Sequence, residues 1–204
     1  MRQAIAERQT KEGEIMAVKI FVDAGHGGTN PGAVGNDVIE ERVNLSVATK
    51  LAQDLREMGY EVMEYRTDRD ENVITPVAAD LRKRAAMANE WGADYFISIH
   101  TNSSVNPAAS GFETYVYRLG SPAAALAESI QESFISALGS KDNGVRQANF
   151  SVLRNTDMPA VLVELGYLSN PTEALNLNSP AWQTKAAAAI ARGIQNYINQ
   201  TPTS

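Results

Sequence analysis

The chain contains no cysteine. That absence excludes disulfides, thiolate metal ligands and cysteine nucleophiles together, and it leaves the redox compartment open. No apolar run approaches the roughly 20 residues that a helix needs to cross a bilayer. Basic residues are outnumbered, 18 against 24 acidic ones for a net charge of −6, and they form no stripe. A nucleic-acid partner is therefore not expected. Several site patterns are missing as well. The glycine-rich stretch at residues 25–35 lacks the Gly-Lys-Ser/Thr ending of a phosphate loop, and no G-x-G-x-x-G follows the preceding strand. Neither HExxH nor G-x-S-x-G occurs.

What remains is a chain of 204 residues, a length that suits one domain able to bury its own core. Residues 1–16 are charged without an apolar stretch, so they are expected to be a leader or disordered extension, with Met16 as a second start. The domain is expected over 17–199, and residues 200–204 read as a disordered tail. Short apolar runs at Val18–Val22, Glu61–Tyr65, Tyr95–His100, Phe112–Tyr117 and Val161–Leu165 read as strands. Between them, apolar residues recur at helical spacing over Glu41–Met58, around Leu81–Trp91, around Leu126–Leu138 and from Trp182 to Ile198. This alternation predicts an α/β fold: a single three-layer domain with a mostly parallel twisted sheet flanked by helices. Two long loops interrupt it, Gly25–Asn36 and Thr101–Gly111. Loops of that length in a compact domain are usually functional.

Only two histidines exist, His26 and His100, and each follows an apolar strand. A single histidine is ordinarily a surface or satisfied core residue. Two at strand ends emerge at one edge of a parallel sheet, where such folds bind ligands. Glu40 and Glu41 open the helix after the glycine loop. A carboxylate there also suits the helix dipole without any metal. Two imidazoles and one carboxylate make a donor set for a catalytic zinc with one position left for water. Glu164 interrupts the apolar run Val161–Leu165. A carboxylate there is either salt-bridged or functional, because burying it unpaired is costly. Beside a metal, its natural role is general base. Asp23 could orient an imidazole or cap the turn.

The chain resembles the N-acetylmuramoyl-L-alanine amidases of the third amidase family. The blocks that carry the resemblance are Phe21–Gly35, Glu40–Leu45, Tyr65–Thr67, Ile97–Asn102, Gly111–Tyr115, Gly144–Thr156 and Met158–Asn170, in that order. They span about Lys19 to Ile198. The resemblance implies one zinc ion held by His26, Glu40 and His100, with Glu40 selected over Glu41 by its distance from Asn44. It implies Glu164 as the catalytic base. It implies hydrolysis of the amide between the lactyl group of N-acetylmuramic acid and the first alanine of the peptidoglycan stem. The expected partner is peptidoglycan, the expected place of action the bacterial cell wall, and the expected state a monomer. Asn102 and backbone amides of the glycine loop, Gly28 among them, are candidates for substrate contacts. His-Thr-Asn stands at 100–102 where the family commonly has His-Ala-Asn. The stretch between Tyr117 and Asn143 has room for one ordinary helix, so no inhibitory insertion is expected over the site. The rival readings are a zinc peptidase cutting within the stem and a peptidoglycan-binding module that no longer hydrolyses.

Overall fold

The computed structural model describes residues 7–9, 15–69 and 71–201. Much of the expected extension and tail lies outside them. Within the extension, β1 (Glu7–Gln9) pairs antiparallel with β2 (Ile15–Ala17).

The core is a six-stranded sheet. Its strands are β3 (Lys19–Ala24), β6 (Glu61–Glu64), β7 (Tyr95–Asn102), β8 (Phe112–Val116), β9 (Asp142–Gln147) and β10 (Ala160–Tyr167), in the order β6-β3-β7-β10-β8-β9. The first four in that order run parallel. β8 runs antiparallel to β10, and β9 runs parallel to β8. The near-continuous apolar character of β3, β7 and β10 follows from their place inside the sheet, where both faces are covered.

Alternate residues of each strand feed two cores. On one face, Ile20, Val22, Ile97, Ile99, Val161 and Val163 pack against helices α1 (Glu40–Glu57), α3 (Pro122–Leu138) and α6 (Pro180–Gln200). On the other, Phe21, Phe96, Ala160 and Leu162 pack against α2 (Val77–Trp91) and α4 (Ser151–Arg154). Phe21 and Phe96 stack there with centroids 5.6 Å apart. The α3 helix occupies the stretch between Tyr117 and Asn143 and packs on α6 and β8.

Topology places the site. From β3 the chain goes out to β6, then returns to the other side of β3 as β7. The crevice beyond the carboxyl ends of β3 and β7 is therefore a topological switch point. The loop expected over 25–36 ends in a small hairpin, β4 (Val34–Gly35) with β5 (Val38–Ile39). Its turn residues Asn36 and Asp37 both have positive φ, 48° and 60°, as a two-residue hairpin of this twist requires. Sequence reasoning did not find β9, α4, or α5 (Pro171–Leu177) after β10. The last helix, α6, continues through Gln200.

Candidate metal centre

His26 follows β3, His100 lies near the end of β7, and Glu40 is the first residue of α1. Their side chains converge. His26 Nε2 is 3.1 Å from Glu40 Oε1, and His100 Nδ1 is 3.0 Å from the same oxygen. One donor atom from each of the three residues lies within 4.8 Å of the others. Donors held about 2 Å from one ion in a tetrahedral set sit roughly 3–3.5 Å apart, so this spacing fits zinc. The donor chemistry, two imidazoles and a carboxylate, fits as well. Burial would raise the Glu40 carboxyl. Hydrogen bonds from His100 and His26, with their charge, outweigh it and hold the group well below the ordinary carboxylate range.

Local structure aims Glu40. The first N–H groups of α1 donate to loop carbonyls rather than to a capping side chain: Glu40 to Ala33 and Glu41 to Pro31. Glu40 Oε2 accepts from Ala33 N–H at 2.8 Å, which turns Oε1 toward the histidines. One helical turn on, Asn44 Nδ2 donates to Gly25 O and Glu40 Oε1. The neighbouring Glu41 points elsewhere, toward Arg66 and Arg69 at 3.8 and 3.5 Å. Two glycines make room. A Cβ at Gly25 would meet the His100 imidazole at 2.3 Å, and one at Gly32 would meet Glu40 Oε2 at 2.5 Å.

Beneath this cradle lie two fully buried arginines, which sequence reasoning missed. Arg84 Nη1 donates to Asp23 Oδ1 (2.6 Å) and Ala24 O, Nη2 to His26 O (2.8 Å), and Nε to Asp80 Oδ2. Arg66 Nε donates to Ala24 O, and its Nη2 to Gly25 O and Glu41 O. These bonds fix the carbonyls of residues 24–26. They matter because His26 has φ 61°, a left-handed conformation that costs a non-glycine residue roughly 1–2 kcal/mol. Asp23 neither orients an imidazole nor caps the turn. It is committed to Arg84 and to Ser98 Oγ (2.7 Å), since a buried carboxylate takes the strongest donors in reach.

Glu164 stands on β10 in register with His100 on β7 and with Glu113 on β8. Its Oε2 is shut off from solvent and has no hydrogen-bond partner among the described residues. Other buried oxygens lack partners too, among them Asp54 Oδ2 and Ser133 Oγ; what sets this one apart is its place in register beside the His100 strand position, where a ligand or a reacting group would meet it. Burial first, then the charges of Glu40 and Glu113, push its carboxyl well above the ordinary range. A cation in the adjacent cradle would oppose that shift.

Glu113 is the second carboxylate at this edge, 1% exposed. Its Oε1 accepts from Asn102 Nδ2 (2.5 Å) and Tyr167 Oη (3.1 Å), and Arg146 Nε lies 2.9 Å from its Oε2. It reaches the site because β8 runs backwards, so its first residues lie where its neighbours end. Burial pushes the nearby Tyr115 hydroxyl up to about 12, with Glu113 and Glu164 adding and Arg146 opposing. One hydroxyl therefore feels all three groups. Of the expected substrate contacts, Asn102 is tied to Glu113, and Gly28 N–H is already given to Arg69 O at 2.7 Å.

Comparison with known proteins agrees with this geometry. A family model described as N-acetylmuramoyl-L-alanine amidase matches residues 20–196. The chain is similar to the sporulation-specific N-acetylmuramoyl-L-alanine amidase of Bacillus subtilis (strain 168), 36% identical over 92% of this chain and 71% of that protein. Among solved structures it is similar to an N-acetylmuramoyl-L-alanine amidase from Clostridium difficile 630. The TM-score is 0.84 at 32% identity, covering 91% of this chain and 99% of that one. The catalytic domain of the amidase CwlV from Bacillus (Paenibacillus) polymyxa var. colistinus gives a TM-score of 0.81 at 37% identity, covering 90% and 99%.

Proposed function

The chain belongs to the N-acetylmuramoyl-L-alanine amidase family, with that activity on peptidoglycan, and on this premise we propose how its residues divide the work. His26, Glu40 and His100 hold one zinc ion, and Glu164 is the general base. The observation that carries this reading is the orphaned, buried Oε2 of Glu164, in register beside a convergent two-histidine, one-carboxylate cradle. Zinc, when bound, acidifies a coordinated water and polarises the scissile carbonyl.

The protein groups supply the rest. Glu164 takes a proton from the attacking water and passes it to the leaving alanine nitrogen, the bond that breaks being the lactyl amide. Glu40, kept anionic by its two imidazole partners, stays a ligand and does not compete for the proton. Arg84 and Arg66 hold the backbone that carries His26, so the donors are preorganised before substrate arrives.

The reading places the protein at the bacterial cell wall, acting as a monomer. Among the described residues no helix is long and apolar enough to cross a membrane. The amidase-named relatives do not favour the stem peptidase or the non-hydrolytic module. The test is mass spectrometry of peptidoglycan digested by the protein, with and without a chelator, beside metal analysis of the purified chain. Stem peptides with a free alanine amino terminus, intact glycan, one zinc per chain and loss of activity on chelation are expected. Undiminished cleavage by protein stripped of metal would overturn it.

A further inference from the structure

Arg146 is half-exposed on β9, yet its guanidinium is anchored inward. Nε donates its one hydrogen to Asn143 O at 3.3 Å and lies 2.9 Å from Glu113 Oε2, an ion pair without a hydrogen bond. Glu113 is itself buried and held from the other side by Asn102 and Tyr167. An exposed arginine paired with an exposed acid would signify little. Here the guanidinium pairs with a fixed, desolvated carboxylate while its Nε is tied to the Asn143 carbonyl, which limits how the group can turn.

The place of that group is informative. Glu113 pairs with Glu164, so the guanidinium lies one side chain beyond the proposed base. Neighbouring strands are about 4.8 Å apart, and one further residue of extended peptide spans about 3.5 Å. Tyr115 pairs in register with Arg146, and Phe150 packs on Tyr115 at 5.2 Å.

We propose that Arg146, oriented by Glu113, is a specificity-determining residue that binds a carboxylate one residue beyond the scissile amide on the leaving peptide. This rests on the reading of Glu164 and the zinc cradle given above. A guanidinium with both terminal nitrogens available suits a carboxylate, which it can meet with two parallel hydrogen bonds. A stem whose second residue is γ-linked D-glutamate offers its α-carboxylate at that distance. Amidation of that group removes the charge and one acceptor.

The experiment uses two soluble substrates, N-acetylmuramoyl-L-alanyl-γ-D-glutamyl-L-lysine and its counterpart amidated at the glutamate α-carboxyl, so that the γ-carboxyl is in peptide linkage in both. The wild type should favour the free acid in kcat/KM by about ten- to a hundredfold, the usual weight of a charge-assisted contact. Arg146→Gln should bring the ratio near one, chiefly through loss with the acid. Arg146→Lys should keep part of the preference. Binding of the two product tripeptides, followed by calorimetry, needs no turnover and should show the same ordering. Equal handling of both substrates by the wild type would overturn the proposal, as would a ratio that survives in Arg146→Gln. Failure of the underlying reading looks different: Glu164→Gln would then hydrolyse both substrates at the wild-type rate, whatever their ratio.

Discussion

Glu164 on β10 is paired in register with His100 on β7. Paired residues of neighbouring strands project to the same face of a sheet. The proposed base and one proposed ligand are therefore set beside each other by strand pairing, which is among the stiffest relationships a fold can offer. The second histidine and Glu40 come from a loop and a helix start, and need more support. Gly25, Gly32, Asn44, Arg66 and Arg84 give it.

Gly25→Ala should damage the site more than the fold. The new Cβ would sit 2.3 Å from the His100 ring, which must then move away from Glu40. Zinc affinity and turnover should each fall by about tenfold or more, the scale on which groups supporting metal ligands act. Gly120→Ala is the contrast. Its φ is +72° and nothing lies within 4 Å of the added carbon. That change should cost about 1–2 kcal/mol in urea unfolding and leave turnover untouched. Full zinc affinity in Gly25→Ala would contradict the packing argument.

Arg84→Gln should be among the most destabilising single changes. It strands the carboxylates of Asp23 and Asp80 inside the protein and frees the His26 carbonyl. Breaking a buried ion cluster in this way costs about 3–5 kcal/mol. Arg154→Gln, which removes an exposed contact to Asn149, should cost less than about 1 kcal/mol. Denaturant unfolding of the two variants side by side checks the ranking.

The sequence made much of this legible. The blocks around His26, Glu40, His100 and Glu164 are local, and each follows an apolar strand or opens a helix, so periodicity finds them. Glu40 was chosen over Glu41 only through the family pattern; spacing alone left both open. In the structure Glu40 converges with the histidines, while Glu41 is drawn to Arg66 and Arg69. Asp80 and Arg84 escaped, as did the buried partners of Asp23 and Arg66, because the pairing of Asp23 with Arg84 spans about sixty residues. Nothing in a local window tells an arginine in α2 from any surface arginine. Glu113 escaped for a topological reason. Its place at the active edge depends on β8 running against β10, and no pattern of alternation reveals strand direction. The strand β9, with buried pattern neither alternating nor apolar, gave no periodic signal at all.

The metal-free protein should carry a pH signature of Glu164. Its folded carboxyl is raised well above the unfolded value by burial and by Glu40 and Glu113. Between the two values the folded state holds a proton that the unfolded chain has released. Stability therefore falls as pH rises through that window. Glu40 acts in the opposite sense: its depressed carboxyl contributes stability above the unfolded value, lost as pH falls. Chelated Glu164→Gln should consequently be more stable than chelated wild type at pH 8, with the gain shrinking toward pH 4. A difference independent of pH, read from thermal unfolding, would remove the burial argument.

The most direct test is turnover of purified peptidoglycan by Glu164→Ala, with bound zinc measured on the same sample. Loss of two to four orders of magnitude in rate, about the weight of one acid–base group, with zinc content and unfolding cooperativity preserved, is the expected result. A variant that keeps near wild-type turnover would take Glu164 out of the mechanism and leave its buried, partnerless Oε2 without a role.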